Sequence, residues 1–248
     1  MKIERQNNIL ELLNLNSYLS VTELSDKLKV SKMTIRRDIN ELSDIGKLKK
    51  VYGGAQGKEN TNKILTTVEK SKKNIVEKKY IGQIMRTLIH PNDTIFLGAG
   101  TTVLYSLEFI DFKDVTVLTT NLLAFNWLVE HHIKDIYLAG GQFFEKTGEF
   151  YGSHAENFFN IFNIDKAFHT TNGLTLDFVS TSTPSLAQLQ QKVLKVSKIN
   201  YLLADSTKFN YLDSVSFANT NEFDGIVTDK NIACEIYNEY SSRFKIYN

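Results

Sequence analysis

One short run, Ser31, Lys32, Met33, Thr34, Arg36, Arg37 and Asn40, carries side chains suited to gripping phosphate and reading base edges. Arginine forks onto guanine or holds phosphate, asparagine pairs with adenine, and serine and threonine hydroxyls bind phosphate oxygens. A second set lies further along: Gly98-Ala99-Gly100-Thr101-Thr102, Thr119-Thr120-Asn121, Gly140-Gly141, Thr170-Thr171-Asn172-Gly173 and Asp205-Ser206-Thr207-Lys208-Phe209. Glycines let backbone approach a ligand closely, hydroxyls and amides donate, and Lys208 adds positive charge, so the set suits a phosphorylated polyol. Singly, each is ordinary turn or cap chemistry. A glycine turn joining strand to helix accounts equally well for Gly98–Thr102 alone, which lacks the Lys-Ser/Thr ending of a P-loop.

The first set needs a helix to present it. At about 100° per residue, Ile35, Ile39, Leu42 and Ile45 fall on one stripe, and Met33, Arg36, Arg37 and Asn40 on the opposite side. Ser31 reads as its N-cap and Gly46 as its C′ residue. Upstream, Ile9, Leu12 and Leu13 predict a helix over 3–15, with Arg5 and Glu11 on other faces, and Asn16-Ser17-Tyr18 breaks it. Ser20-Val21-Thr22-Glu23 is a capping-box pattern opening a second helix with Val21, Leu24 and Leu28 on its apolar side. Two short helices and a tight turn make a helix-turn-helix. Leu48-Lys49-Lys50-Val51-Tyr52-Gly53-Gly54-Ala55 then reads as a basic hairpin with the glycines at its tip, a wing whose Lys49, Lys50 and Tyr52 position a duplex.

Val21-Thr22-Glu23-Leu24, the run Val30 to Ile39, Leu42, Gly46-Lys47-Leu48 and Tyr52-Gly53-Gly54-Ala55 resemble the N-terminal signature of the DeoR family of bacterial transcriptional repressors. The resemblance covers this head without a gap. It implies that Thr34-Ile35-Arg36-Arg37-Asp38 lies on the recognition helix.

Residues 57–74 are polar and lysine-rich and read as a linker. From Ile75, the spacing of Ile81, Ile84, Met85 and Leu88 predicts a helix to about residue 89, ended by Pro91-Asn92-Asp93. Six apolar runs follow, 94–97, 115–118, 135–138, 166–169, 201–204 and 225–228, alternating with helical segments. That rhythm predicts an α/β domain with a mainly parallel sheet. Ligands gather beyond the carboxyl ends of such strands, where the second set of residues falls. Those loops resemble the DeoR family's C-terminal sensor domain: Gly-x-Gly-Thr-Thr, Thr-Asn, Gly-Gly and Asp-Ser-x-Lys-Phe. The resemblance implies a ribose-5-phosphate-isomerase-like fold that binds a sugar phosphate without turning it over. Gln190-Gln191 departs from a lysine that many members carry. With Ser180-Thr181-Ser182-Thr183 ahead of it, the pair resembles the family branch that represses lactose phosphotransferase systems, which implies tagatose 6-phosphate as effector.

The expected layout is therefore a winged helix-turn-helix domain at 1–56, a linker at 57–74 and a sugar-phosphate-sensing α/β domain at 75–248. Residues 1–80 hold 17 Lys and Arg against 10 Asp and Glu, the remainder 12 against 18. A basic head on an acidic body points to a polyanion, here double-stranded operator DNA, although an uneven surface alone gives the same split. One head covers a half-site, so a homo-oligomer, at least a dimer, is expected. No apolar run approaches the roughly 20 residues of a membrane span and the N-terminus is not signal-like, so a cytoplasmic protein without a membrane partner is expected. The single cysteine, Cys234, reads as a buried or idle thiol. His131, His132, His154 and His169 lack metal-ligand spacing, and no cofactor, metal or catalytic group is expected. The rival is a sugar-phosphate isomerase or deaminase carrying a DNA-binding head. Such chemistry needs an acidic base after the fourth strand, where Thr171-Asn172-Gly173-Leu174 stands, leaving Asp177 and Asp205 as its remaining bases.

Overall fold

In the computed structural model, residues 2–15, 18–45, 47–51, 53–57 and 66–248 are described. Gly46, Tyr52, the break residues Asn16 and Ser17, and 58–65 of the expected linker lie outside them. The chain divides into two units, Met1–Lys63 and Ile64–Asn248.

The first unit contains α1 (Lys2–Leu15), β1 (Tyr18–Ser20), α2 (Val21–Leu28), α3 (Lys32–Asp44), β2 (Leu48–Val51) and β3 (Gly54–Gly57). The α2 capping box forms as read, with Glu23 N–H donating to Ser20 Oγ at 3.2 Å and Ser20 N–H to Glu23 Oε2 at 2.8 Å. Ile9, Leu13, Leu24, Ile35, Ile39, Leu42 and Leu48 share one core. Burying each such aliphatic side chain contributes about 1.5–3 kcal/mol. Ile45 departs from the predicted stripe: α3 stops at Asp44, the helical phase ends with it, and Ile45 is 64% exposed. The wing is wider than a hairpin, because β1 pairs with β3 to give the order β1-β3-β2. Its glycines do different work. Gly53 takes φ +80°, whereas a Cβ on Gly54 would lie 2.3 Å from the Leu19 carbonyl, so the second glycine lets β1 approach.

The second unit begins with α4 (Thr67–Ser71) and α5 (Ile75–Leu88), so the described end of the expected linker is folded. Then follow β4 (Thr94–Leu97), α6 (Thr101–Ser106), β5 (Thr116–Thr119), α7 (Leu122–Glu130), β6 (Ile136–Leu138), β7 (Gln142–Phe144), β8 (Glu149–Tyr151) and α8 (Ser153–Phe158). The unit ends with β9 (Ile164–Thr170), β10 (Gly173–Leu174), β11 (Phe178–Thr181), α9 (Pro184–Val196), β12 (Ser197–Leu203), β13 (Val215–Asn219), β14 (Gly225–Val227), α10 (Cys234–Ser241) and β15 (Ile246–Tyr247).

Among the described residues, all six predicted strands fall in one seven-stranded parallel sheet, β15-β14-β12-β9-β4-β5-β6. Alternate residues feed opposite faces. Ile95, Leu97, Val117 and Phe168 enter one core with α5, α6 and α7; Phe96, Leu118 and Ala167 enter another with α8 and α9. The β7–β8 hairpin, the antiparallel β10-β11-β13 sheet and edge strand β15 were not in the sequence reading. Cys234 opens α10 and is exposed, so a buried thiol is not what the fold makes of it.

Candidate functional site

The exposed face of α3 is held by its buried one. Asp38 is 1% exposed and accepts from Arg5 Nε at 2.6 Å and Nη2 at 3.2 Å, clamping α3 to α1. Arg5 therefore faces α3 and not solvent alone, and Asp38 is a clamp within the Thr-Ile-Arg-Arg-Asp run. Lys32, Met33, Arg36, Arg37 and Asn40 are exposed, Met33 by 78%. Such exposure of a large apolar side chain among cations suits a duplex groove. Arg37 lies 3.8 Å from Glu41, which also takes Lys2 and Gln6, whereas Arg36 has no acidic partner among the described residues. Ser31 Oγ caps α3 by accepting from Thr34 N–H at 3.2 Å and shares a 2.9 Å bond with Thr34 Oγ1. Lys49 and Lys50 are exposed on β2, and Tyr52 lies outside the described residues.

In the second unit the chain runs outward from β4 through β5 to β6 on one side, and from β9 through β12 and β14 to β15 on the other. This reversal is the place where open α/β sheets bind ligands. The loops after β4 and β9 flank it and are pinned together: Thr170 Oγ1 donates to the Ala99 carbonyl, and Gly98 N–H to the Phe168 carbonyl at 3.0 Å. A Cβ on Gly98 would sit 2.8 Å from that carbonyl, and Gly100 has φ +128°. Both glycines are thus needed by the fold itself. Thr101 and Thr102 are buried in the first turn of α6, whose amides lack helical partners.

Other predicted residues take different places. Thr120 and Asn121 are sealed from solvent, and Asn121 Oδ1 caps α7 by accepting from Leu123 and Ala124 N–H. The Thr120 hydroxyl and the Asn121 amide nitrogen are buried without a hydrogen-bond partner. Gly140 and Gly141 follow β6, two strands from β4; a Cβ on Gly141 would lie 2.5 Å from the Tyr151 carbonyl, so it serves the β7–β8 hairpin. A Cβ on Gly173 would lie 2.4 Å from the Tyr211 carbonyl.

Asn172, Asp205 and Lys208 do converge, on groups the sequence reading left out. Lys70 Nζ of α4 donates to Asn172 Oδ1 at 2.9 Å, and Asn172 Nδ2 donates to Asp213 Oδ2 at 2.6 Å. Asn74 Nδ2 donates to Asp205 Oδ1 at 3.0 Å, the same oxygen that caps the Ser206–Lys208 turn. Lys78 Nζ donates to the carbonyls of Lys70 at 2.7 Å and Lys73 at 2.6 Å. Burial, then the charge of Lys208, lowers the proton affinity of Lys70; burial is also the main cause that pulls Lys78 down to about 8, with Lys208 and Lys70 adding to it. Glu149 and Asp213 offset the charge on Lys70, and burial pushes the Glu149 carboxyl up. The arrangement is a cluster in which Lys70, Lys78 and Lys208 lie among the acidic Asp205, Asp213 and Glu149, with amide donors at hand for a polyol. Asp205 takes Asn74 and its own turn on a single oxygen, Oδ1.

Comparison with known proteins decides what this architecture is. The DeoR C-terminal sensor domain matches residues 73–230, and the DeoR-like helix-turn-helix domain residues 5–61. The chain belongs to the DeoR family. The lactose phosphotransferase system repressor of Staphylococcus epidermidis is 35% identical over 93% of both chains. An uncharacterized HTH-type transcriptional regulator, FruR, of Bacillus subtilis is 33% identical over 91% of this chain and 90% of its own. Ribose 5-phosphate isomerase from Plasmodium falciparum overlaps 53% of this chain and 52% of its own at 21% identity, with a TM-score of 0.39. As a DeoR-family protein, the chain is a helix-turn-helix transcriptional regulator with a sensor domain and not an enzyme, which disposes of the isomerase or deaminase alternative.

Two signals for the missed DeoR-domain groups were present in the chain. Thr66-x-x-Glu69 is a capping box, and Lys78 sits three residues before Ile81 and seven before Met85, a charge on a buried stripe. Glu149 and Asp213 carried no local signal, because only tertiary packing brings them to Lys70.

Proposed function

We propose that this DeoR-family protein is a cytoplasmic repressor of a sugar-metabolism operon, released from its operator by a phosphorylated sugar held in the crevice of the second unit. Arg36, Arg37, Asn40, Met33, Lys32, Thr34 and Ser31 meet the duplex, and Lys49, Lys50 and Tyr52 position it. Gly98–Thr102, Asn172, Gly173, Asp205 and Lys208 surround the effector, with Thr120, Asn121, Gly140 and Gly141 in the supporting loops. The observation that carries this reading is the meeting of lysines, amides and glycine loops at the strand reversal of a domain matched as a sensor. Relatives named lactose phosphotransferase system repressor support a lactose-type operon; tagatose 6-phosphate as the effector is what the resemblance to that branch implies.

Release works by differential affinity. At least two copies present α3 together, and the sugar phosphate binds the arrangement that holds the heads out of register more tightly than the operator-competent one. The test is thermal denaturation of the full chain with tagatose 6-phosphate, fructose 6-phosphate and free tagatose. A ligand at 100 times its Kd stabilises by about 2.7 kcal/mol, a rise readable as several degrees. Stabilisation by a phosphorylated sugar and not by the free one is the expected result; no response to any of them contradicts the sensor reading.

A further inference from the structure

The small antiparallel sheet β10-β11-β13 carries two adjoining grooves, and the cross-strand pair Phe178 and Asn219 forms the ridge that lines both. The first groove, about 360 Å³, lies between the sheet and α9; buried Leu194, Phe217 and Ala218 and exposed Lys195 and Glu222 line it. The second, about 560 Å³, is lined by Leu176 and Phe244 together with Asp177 and Arg243. Opposite β11, strand β13 carries one extra residue, Phe217; such a bulge breaks the alternation of faces, and Phe217 and its neighbour Ala218 are both buried. Phe178, the first residue of β11, stays 45% exposed, a large apolar side chain standing between two hollows. The carboxylate of Asp177 and the ammonium of Lys195 are exposed and make no hydrogen bond or ion pair with any described residue. Glu222, by contrast, is held by Asn219 N–H at 2.6 Å and by Asn219 Nδ2 at 3.1 Å.

We propose that the ridge and the first groove form a two-fold interface between two copies of this chain, in which each Phe178 enters the other copy's first groove and each Asp177 meets the partner's Lys195. A surface bearing a knob, a hollow and one unpaired charge of each sign fits a copy of itself, because a two-fold axis sets each feature against its complement and makes every contact twice. Charge selects the first groove over the second. Asp177 travels with Phe178, and the second groove carries Asp177 itself, so seating Phe178 there would set two aspartates face to face. An acidic or a basic polymer matches this face poorly, since Asp177 and Glu222 stand on it with Lys195 and Arg243. An aromatic side chain seated in an apolar pocket under a polar rim is the kind of anchor that carries such interfaces. The inference rests on the requirement above for at least two copies presenting α3 together, and it names the surface of the second unit that joins them.

Sedimentation velocity of the full chain over a concentration series tests this, with melting curves to show that each variant is folded. The variants are Phe178→Ser, Asp177→Lys, Lys195→Asp, the double variant Asp177→Lys/Lys195→Asp and, as an exposed aromatic on edge strand β6, Tyr137→Ser. The wild type is expected to associate, and Phe178→Ser and each single charge reversal to raise the dissociation constant by about tenfold or more. The double variant, which exchanges the two charges, recovers most of that loss, and Tyr137→Ser changes nothing. Association unmoved by Phe178→Ser or by either charge reversal overturns this surface and leaves the two-copy requirement standing. A double variant as weak as the single ones overturns the pairing of Asp177 with Lys195 and the two-fold arrangement with it, and an equal loss in Tyr137→Ser overturns the interface as well. A wild-type chain that is monomeric at every concentration removes the two-copy reading and this interface together.

Discussion

Arg36 and Arg37 are adjacent but not equivalent. Glu41 lies within 3.8 Å of Arg37, while Arg36 is free of any described acidic partner. Arg36→Ala is therefore expected to weaken operator binding by about 1–3 kcal/mol, as for a base-reading arginine, with the thermal response to sugar phosphate unchanged. Gel-shift and melting measurements on the same preparation check both halves. Lys78 offers a second residue-level prediction. Its folded value, about 8, lies below its ordinary 10.5, so between these pH values the native state binds fewer protons than the unfolded chain. Stability then rises with pH across that window, and the cost of the buried charge is full below pH 8. The groups acting on Lys78 are Asp205, Lys208, Lys70 and Glu77. Melting curves from pH 7.5 to 10 should show this rise in the wild type and a flatter profile in Lys78→Met.

At the scale of elements, α4 is the short helix that brings Lys70 to Asn172. Its capping box, Glu69 N–H to Thr66 Oγ1 at 3.1 Å and Thr66 N–H to Glu69 Oε2 at 2.9 Å, starts a helix only five residues long. Such a helix depends on its cap and its tertiary bonds, so Thr66→Ala should cost about 1 kcal/mol and weaken the sugar phosphate as well. A melting midpoint lowered with effector affinity unchanged would separate α4 from the crevice. Gly82 sets the spacing of the next helix: its Cβ would lie 2.7 Å from Ser106 Cα of α6, and Gly82→Val should destabilise by about 1–3 kcal/mol through overpacking. The sequence exposed the elements that carry strong periodicity or capping chemistry, namely the first three helices, α5 and six of the seven parallel strands. It hid β1, β10, β11, β13 and β15, which are short and defined by pairing with distant partners. Lys70 was hidden for a similar reason. A polar lysine-rich stretch reads as solvated until Asn172, about a hundred residues later, is packed beside it.

At the scale of the whole molecule, the charge division and the DeoR-family domain order give each unit its own ligand. Helix α3 is held to α1 by Arg5–Asp38 within the first unit, so its basic face is fixed locally. In the proposed mechanism, control acts on how many heads meet the duplex together. Counterion release makes operator affinity fall steeply with salt, and Lys49→Ala or Lys50→Ala should each reduce the slope of log K against log salt by about 1 if they hold phosphates. No helix among the described residues is long and apolar enough to cross a membrane. The measurement that bears most directly on the central claim is operator affinity of the full chain with and without saturating tagatose 6-phosphate, and with free tagatose as control. The account predicts a loss of about tenfold or more with the phosphorylated sugar alone, a coupling of about 1.4 kcal/mol or more. Operator affinity unmoved by a sugar phosphate that demonstrably binds the second unit would contradict it.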